Sequence, residues 1–452
     1  MATENITDQF IDNICSITYD SIPLSAIRKL KECIVDTIGA TIAGSAELKD
    51  KEIGLLNTLI TDGCVIYPIG HQLKTSLSNA ILINGLSSHY LELDDGTRQG
   101  VIHPSAPILS ALIPIGIINK VTWKRFVLGA ICGYETAIRI AQAMQPSHYS
   151  LGYHPTATCC TLGVAVAITV MLSCDKQLIK DSLSSACISA SGSLKVIEDD
   201  SQLKPYNCAK AALMGYYAAM LAIAGFRGPN NCLDGDLGFL NMMSSSWDKS
   251  ILLNKESSLK IENIYTKPYA SCRHTHPEIE AALSIRKAPE FKFDKVDRIK
   301  VITYAGVIGK HDTYNINSVS AARMSIPFSV VVALYCGKAG IDEFSKQYYE
   351  DTKIRELLQR VEVIADQEIT KLVPSRRAAI VEVYLNNGTI LRERVDYPKG
   401  EPENPMSETD LLTKFISLCN LAGISSSTAT QFFNYIMHSQ IIDINALNYG
   451  EH

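Results

Sequence analysis

Four short polar clusters interrupt a largely apolar sequence, and they contain the residue types that move protons and bind anions. The first is the run 92–98 (ELDDGTR), which is followed closely by His103. Asp94 and Asp95 are adjacent carboxylates, and a carboxylate can orient a histidine or shift its pKa. This cluster is therefore a candidate for acid–base chemistry; the alternative is that the two carboxylates only cap the next helix.

The second and third clusters each stand immediately before a predicted helix. His154 precedes a proline, which favours an extended or turn conformation, and the helix start after it offers free N–H groups to a carboxylate. Tyr149 belongs to the same loop. In the third cluster, Lys204 would anchor an anionic substrate if it faced a cleft. A loop histidine with satisfied hydrogen bonds and a solvated surface lysine are the alternatives.

The fourth cluster is the run 267–277 (KPYASCRHTHP). We predict that Arg273 clamps a carboxylate with two parallel hydrogen bonds, because the planar guanidinium matches that anion. His276 is a candidate polar site residue, with a cap at a domain junction as the alternative. His274 and His276 could suggest a metal, but further ligands at compatible spacing are missing nearby in the sequence. We therefore predict no metal.

Several classes of function are disfavoured by the motifs that the sequence lacks. It contains no glycine-rich nucleotide loop, no GxSxG serine motif, no HExxH zinc motif and no EF-hand. The sequence therefore predicts no cofactor. The histidines, carboxylates, lysines, arginines and tyrosines that remain suit abstraction of a proton α to a carboxylate, with cations stabilising the charge that develops.

Composition narrows the choice of partners and compartment. The net charge is −5 and there is no basic block, which argues against nucleic-acid binding. The most apolar stretch, 106–118, contains two prolines and is shorter than the roughly 20 residues of a membrane span, so we expect a buried helix or helix pair. The 13 cysteines are scattered, as is typical of a reducing compartment, and the N-terminus is polar. These features predict a soluble, cytoplasmic protein.

Hydrophobic periodicity predicts a mainly α protein with an α+β second domain. Successive helices fill residues 8 to about 260, one of them opening at Pro23 and running toward Gly44. The other helical patterns cover 75–92, 124–145, 160–173, 178–192 and 207–225. After Tyr265 the pattern changes to strand alternation at 297–304 and 360–365, and to a hairpin at 379–384 and 390–395 around an Asn-Gly turn.

The domain organisation follows from this change of pattern. We predict a large helical domain over 1–266, which is completed by helices in 404–452 after a breaker-rich linker. A capping box at Ser407 starts the returning helices. The segment 267–403 would form a smaller α+β lid domain. Clefts between domains are favoured ligand sites, so we expect the polar clusters to meet there.

The ordered motifs HYLELDDG with HPSAP, GYHPTATCCTLGVAVA, LKPYNCAKAALMG with CLDGDLGFL, and KPYASCRHTHP resemble the MmgE/PrpD family over essentially the whole chain. That family includes 2-methylcitrate dehydratase, cis-aconitate decarboxylase and iminodisuccinate epimerase. The resemblance implies a homodimer without metal that acts on a small polycarboxylate. By motif position it places these residues in the site: Asp94 or Asp95, Thr97, His103, His154 and Lys204, with Arg273 and His276 on the junction motif.

The sequence also departs from the family pattern. Gly96 stands between Asp95 and Thr97, which leaves open which carboxylate matches. Phe328 aligns with a functional tyrosine of the decarboxylase, and phenylalanine cannot donate a proton, which argues against decarboxylation. The acidic motif of the dehydratase has Asn-Asp where this chain has Asp-Asp-Gly, so methylcitrate is not assigned as the substrate.

The leading hypothesis is a dehydratase-like lyase. His103 or His154 would remove the proton α to a carboxylate, the other histidine or Tyr149 would protonate the leaving hydroxyl, and Lys204 and Arg273 would bind carboxylates. An epimerase, in which Tyr149 and His103 flank one carbon, is the runner-up. A decarboxylase and a binding protein without activity are the remaining alternatives.

Overall fold

Apolar residues at helical spacing form the helices of the first 260 residues. The structure is a computed structural model that describes residues 5–59, 63, 65–198, 201–254 and 258–448; residues 1–4, part of the polar N-terminus noted above, lie outside this description. The helices are α1 (Ile6–Cys15), α2 (Leu24–Thr58), α3 (Leu77–Tyr90), α4 (Ser105–Ile118), α5 (Trp123–Met144), α6 (Ser147–Ser150), α7 (Pro155–Met171), α8 (Lys176–Ser189), α9 (Lys204–Ile223), α10 (Phe239–Met243) and α11 (Lys249–Leu253).

Two of these helices refine the sequence predictions. The helix that opens after Pro23 does not end near Gly44 but continues to Thr58. Gly44 permits a close helix–helix approach instead, because a Cβ there would lie 2.0 Å from the main-chain oxygen of Ser87 in α3. The apolar stretch around Pro114 is one buried helix and not a pair. None of the helices in the described ranges combines the length and apolarity that a membrane crossing requires.

The segment after residue 267 folds around a four-stranded sheet, as predicted. Its strands are β1 (Val296–Thr303), β2 (Val361–Ala365), β3 (Ala379–Leu385) and β4 (Ile390–Val395) in the order β2-β1-β3-β4, with β1 and β2 parallel and the other pairs antiparallel. The accompanying helices are α12 (His276–Arg286), α13 (Val319–Met324), α14 (Ile326–Cys336), α15 (Lys346–Tyr349), α16 (Thr352–Leu358) and α17 (Gln367–Lys371).

The chain then returns to helices. Ser407 and Asp410 form the predicted capping box at the start of α18 (Glu408–Leu421), which α19 (Ser426–His438) follows. One hydrophobic core gathers buried residues from 10–264 and 411–447, and a second gathers mostly residues from 270–395. This arrangement confirms the predicted fold class, a mainly α protein with an α+β second part. The exact domain boundaries remain a prediction.

Cysteines contribute to both cores as small apolar side chains. The twelve described cysteines are free thiols, and most are buried. A buried thiol packs as a small hydrophobe. Cys159 and Cys160, for example, lie within the first core, where burial raises the pKa of Cys159 to about 12, so that its thiol stays protonated.

The contact between α3 and α9 matters most for the site. A Cβ on Gly85 would lie 2.5 Å from the Cα of Ala209, so the two helices approach at backbone distance. Gly85 stands one turn before the end of α3, and Ala209 one turn after the start of α9. Glu92 follows α3 and Lys204 begins α9. The glycine contact therefore sets the separation of these two charged residues.

We predict that Gly85→Leu lowers the free energy of unfolding by about 1–3 kcal/mol, because overpacking forces backbone shifts. Chemical denaturation measures this. The control is Gly54→Leu in α2, where a Cβ meets nothing within 4 Å and the helix should gain from loss of glycine. Equal stability of the Gly85→Leu and Gly54→Leu proteins would refute the close-approach argument.

Candidate active site

A cavity of about 60 Å³ lies where residues of the helical part and of the α+β part meet. Six residues predicted from sequence line it: Thr97, His103, Tyr149, His154, Lys204 and Arg273. Asp94, Asp95 and His276 do not line it. Further lining residues that sequence reasoning did not select are Glu92, Tyr265, Lys267, Cys272, His274, His311 and Arg377.

Glu92 is the centre of a buried charge network beside the cavity. Its carboxylate lies 2.5 Å from Nζ of Lys204 and 3.4 Å from Nζ of Lys267, and its main-chain oxygen accepts a bond from Lys267 at 3.1 Å. Burial opposes ionisation, yet the two ammonium groups hold the pKa of Glu92 well below its usual value. The carboxylate is therefore ionised and keeps both lysines charged.

The backbone at the cavity is strained in two places. Glu92 has φ 57° and Val101 has φ 56°, a conformation that L-residues other than glycine rarely adopt. For a β-branched residue such as Val101 it is a true outlier. Such strain costs of order 1–3 kcal/mol and clusters at functional sites. Both residues line the cavity, which is therefore the candidate functional site.

His103 presents a free nitrogen to the cavity. Its Nδ1 lies 2.6 Å from the main-chain oxygen of Asp95, and a carbonyl only accepts, so Nδ1 carries the proton. Nε2 is then the basic nitrogen. Asp94 lies 3.5 Å from the ring, and Thr156 accepts a bond from the main-chain N–H of His103 at 3.1 Å. Burial lowers the pKa of His103 to about 3 despite the nearby Asp94, so the imidazole is neutral.

The two adjacent aspartates have different surroundings. Asp94 lies 2.7 Å from Nδ1 of His89 and also faces His103, and although burial opposes it, these histidines lower the pKa of Asp94. Asp95 accepts hydrogen bonds from the hydroxyl and the main-chain N–H of Ser105 at the start of α4. Burial raises the pKa of Asp95 to about 7. Asp94 is thus the carboxylate that supports the histidines, and Asp95 caps a helix.

His154 and Tyr149 complete the acid–base groups. His154 adopts the extended conformation expected before proline, at the first turn of α7, and its Nδ1 is buried without a partner among the described residues. Burial, with Lys204 close by, lowers the pKa of His154 well below its usual value. Burial raises the pKa of Tyr149, which therefore keeps its phenolic proton.

Arg273 differs from its predicted role. Its Nε and Nη2 both bind Glu401, so the two-bond clamp is made with a carboxylate of the chain itself. Glu401 also pairs with Arg98 at 3.0 Å. Only Nη1 of Arg273 is left, and it has no partner among the described residues. The two N–H groups of Nη1 remain for a ligand, whereas the Nε and Nη2 edge that would make the predicted clamp is held by Glu401.

Arg377 lines the cavity although the sequence did not predict it as a site residue. Among the cations that line the cavity, it is the one whose charge is least balanced by carboxylates of the described residues. One of its nitrogens donates to the main-chain oxygen of Arg98 at 3.2 Å, and Nε has no partner among the described residues. It precedes β3 in a segment without a recognisable motif, so no sequence signal pointed to it. Glu92 and Lys267, in contrast, stand inside the quoted motifs and could have been chosen there.

Two residues singled out from sequence lie apart from the cavity. His276 begins α12, and its Nε2 lies 3.3 Å from the main-chain oxygen of Ser271. Phe328 is 1 % exposed and packs beside Phe344 in the second hydrophobic core. The position aligned with the tyrosine of the decarboxylase is therefore a core position here.

Cys272, His274 and His311 could hold a metal ion, since their ligand atoms lie within 4.8 Å of one another. Nδ1 of His311 donates to the main-chain oxygen of Met324 at 3.0 Å, and Nδ1 of His274 bonds to Tyr304, which leaves both Nε2 atoms for a ligand. A second possible group is His89, Asp94 and Cys208. The prediction that the protein uses no metal stays a prediction.

The chain matches the sequence profiles of a known enzyme family. The MmgE/PrpD N-terminal domain profile matches residues 8–252 and the MmgE/PrpD C-terminal domain profile matches residues 269–431, so the chain belongs to the MmgE/PrpD family. The resemblance predicted from the motifs is thereby confirmed. This chain is similar to "Cis-aconitate decarboxylase" of Homo sapiens, with 24% identity over 433 residues, which cover 92% of this chain and 88% of that protein. It is also similar to "Cis-aconitate decarboxylase-like protein oryM" of Aspergillus oryzae, with 22% identity over 442 residues and coverage of 92% and 91%.

The buried neutral histidines predict a dependence of stability on pH. Burial lowers the pKa of His311 to about 4, whereas an unfolded histidine titrates near 6.5. Below about pH 6.5 the unfolded chain takes up a proton that the folded chain refuses, so stability falls as pH decreases toward 4. Asp95 and Glu278, with pKa raised to about 7 by burial, act in the opposite sense.

His311→Asn should isolate one such contribution. The loss of unfolding free energy between pH 7 and pH 5 should be smaller in this variant than in the wild type, by about 1–2 kcal/mol. Urea denaturation at both pH values measures it. The control, His438→Asn, changes an exposed histidine at the end of α19 and should keep the wild-type loss. An unchanged loss in His311→Asn would contradict the neutral, buried state of this side chain.

Proposed function

We propose that this protein is a lyase that removes the proton α to a carboxylate of a small di- or tricarboxylic acid, and that the reaction needs no metal. One observation carries the proposal: three buried nitrogens that lack a partner among the described residues all belong to side chains lining one cavity. They are Nη1 of Arg273, Nε of Arg377 and Nδ1 of His154. A buried donor left unpaired is costly, so a ligand with acceptor oxygens should complete this site.

The charges around the cavity support an anionic substrate. Glu92 is shared by Lys204 and Lys267, and Glu401 is shared by Arg273 and Arg98. Arg377 forms no ion pair within the described residues. Cations therefore exceed carboxylates at the cavity, and attraction is stronger there than in water because the site is buried. A substrate with two or three carboxylates would restore the balance.

The histidines support proton abstraction. Nε2 of His103 carries the lone pair, and Asp94 behind the ring would stabilise the imidazolium that forms on proton uptake. Carboxylates of a bound substrate would raise the pKa of His103 toward the working range of a general base. Tyr149, or His154 once carboxylates of the substrate have raised its pKa so that it is protonated, would then deliver a proton to the leaving hydroxyl.

Two other reactions are compatible with these groups: an epimerase would share the proton abstraction, whereas a decarboxylase would reach a carbanion without it. In an epimerase, Tyr149 would return the proton to the opposite face of the carbon from which His103 removed it. In a decarboxylase, the carbanion would form by loss of CO₂ and Tyr149 or His154 would protonate it. The curated names of the two similar proteins favour decarboxylation as the second candidate. The product of the reaction distinguishes the three.

The test is to incubate the protein in D₂O with a citrate-type hydroxy acid, cis-aconitate and an amino-dicarboxylate, each with and without a chelator. We expect an unsaturated acid to form from the hydroxy acid, at a rate that the chelator does not change. Deuterium incorporation without loss of water would favour epimerisation, and release of CO₂ would favour decarboxylation. Loss of turnover on chelation would refute the metal-independent reaction.

Substitutions at His103 and Lys204 test the roles proposed for these two residues. His103→Asn should lower kcat by about 10²–10⁴-fold, as expected for loss of a general base. Lys204→Met should weaken substrate binding by about 10–100-fold, since a hydrogen bond to a charged group contributes about 1.5–3 kcal/mol. Lys176→Met changes an exposed lysine in α8 and is the control. Full turnover in both site variants would show that the site is elsewhere.

We further propose that the protein is a homodimer. One face of α9 exposes Tyr206, Tyr217 and Leu221, which are spaced 11 and 4 residues apart and so share one side of the helix. Phe226 extends this apolar surface beyond the helix. Several large apolar side chains exposed on one helix face favour an interface, and a second copy would cover them.

Light scattering after gel filtration tests the dimer. The wild-type mass should be twice the 49.5 kDa of one chain. The double variant Tyr217→Glu, Leu221→Glu should shift it to a single chain, because charges in an apolar interface are costly to bury. Leu73→Glu, at an exposed leucine outside α9, is the control. A wild-type mass of one chain would refute the proposal.

A further inference from the structure

A second pocket of about 240 Å³ adjoins the catalytic cavity and contains a buried arginine without an ion-pair partner. The two spaces share Glu92, Lys204 and Met324 as wall residues. On its other side the second pocket reaches Lys51, which lies near the surface. We call it the Arg323 pocket, after the arginine in α13 that lines it.

Arg323 is 6 % exposed, and its hydrogen bonding is incomplete. Nη1 donates to the main-chain oxygen of Tyr90 at 3.1 Å, while Nε has no partner among the described residues. No carboxylate of the described residues lies within ion-pair distance of this guanidinium. Burial lowers the pKa of Arg323, although Glu92 and Glu47 oppose the shift from further away. The fold thus buries a positive charge that it does not neutralise.

The rest of the pocket increases the positive charge. Lys51 and Lys204 also line it, and Glu92 is the carboxylate on its wall. Glu92 is already bound to Lys204 and Lys267, and among the described residues it forms an ion pair with neither Arg323 nor Lys51. The wall also offers the amide of Gln202, whose Oε1 accepts a bond from Lys51 at 2.5 Å. The pocket is therefore polar, cationic and able to donate several hydrogen bonds.

An isolated buried charge is destabilising unless a counter-ion is supplied. Surface arginines avoid this cost by keeping the guanidinium in water, which Arg323 does not. We propose that the Arg323 pocket is a second anion-binding site, which takes a carboxylate or phosphate group of a small molecule against Arg323, Lys51 and Lys204. The site is separate from the proposed reaction, and its occupant would meet the catalytic cavity across the wall residues Glu92, Lys204 and Met324.

The position of Lys204 links the Arg323 pocket to the catalytic cavity. An anion beside Arg323 would compete with Glu92 for the ammonium group of Lys204, which both spaces share. The wall between the two spaces thus contains the Lys204–Glu92 ion pair beside the apolar Met324. A small anion in the Arg323 pocket would change the charge that the catalytic cavity presents to its own ligand.

Calorimetric titration of the full chain with inorganic phosphate and with malonate tests the site. Because Arg377 gives the catalytic cavity its own affinity for anions, the titrations use Arg377→Met as the background. We expect one anion to remain bound in that background, and Arg377→Met with Arg323→Met to weaken its binding at least about tenfold, equal to about 1.4 kcal/mol. Arg377→Met with Arg125→Met, at an exposed position in α5, is the matched control and should bind as the background does.

Arg323→Lys keeps the positive charge and serves as a control for misfolding of the Arg323→Met protein. On the same background it should retain measurable binding, with affinity between those of the background and Arg323→Met. Binding of phosphate alone would identify a phosphorylated ligand, and binding of malonate alone a carboxylate ligand; either supports the site. Affinity within twofold of the background in a folded Arg323→Met protein would overturn it, as would a Kd weaker than about 10 mM for both anions in the background.

The result is distinguishable from failure of the proposed function. His103→Asn should abolish turnover without changing anion affinity at the Arg323 pocket, because His103 does not line that pocket. Loss of anion affinity in Arg323→Met would stand even if none of the candidate substrates were turned over. Turnover without anion binding at Arg323 would refute only the second site.

Discussion

The ion-pair network at Glu92 is the constraint on which the site depends. Lys267 is completely buried, and a buried ammonium group is strongly destabilising unless it is paired and hydrogen-bonded. Glu92 meets this need with its carboxylate and its main-chain oxygen together, and it does so from a left-handed backbone conformation. The close approach of α3 and α9 then places Lys204 against the same carboxylate. The strained backbone at Glu92, the close contact of α3 with α9 and the ion pairs thus all serve to pair Lys204 and Lys267 with one carboxylate.

The network divides the charges between the wall and the cavity. Asp94 and Glu401 stand behind the lining side chains, where they orient His103 and Arg273, while cations and neutral histidines face the cavity. Glu92 also lines the cavity, but Lys204 and Lys267 match its charge. A further, unpaired carboxylate in the cavity would repel an anionic substrate. Placed behind the cavity, Asp94 and Glu401 keep the cations charged and hold the rings in position without competing for the ligand. Preorganisation of this kind is the usual source of electrostatic stabilisation in enzymes.

Local periodicity predicted most of the fold, because helical and strand patterns depend on neighbouring residues. The strands, the Asn-Gly hairpin and the cap at Ser407 were all correct. What failed depends on contacts distant in sequence. Gly44 resembled a helix end but serves a helix–helix contact, and Glu401 stands in a segment of turns and prolines that looked like a solvent-exposed linker. Arg377 has no motif around it, and only the fold shows that it reaches the cavity.

The contrast between Phe328 and Tyr149 changes how the reaction should be inferred. From the sequence, phenylalanine at the position of a functional tyrosine argued against decarboxylation, on the premise that this position faces the substrate. Here Phe328 lies in a hydrophobic core, whereas Tyr149 lines the cavity with a phenol that keeps its proton. Loss of one hydroxyl therefore does not remove the proton donor from the site. Elimination and decarboxylation differ instead in which substrate group lies over Nε2 of His103: a C–H bond must lie there for proton abstraction, whereas a carboxylate that leaves as CO₂ needs no base.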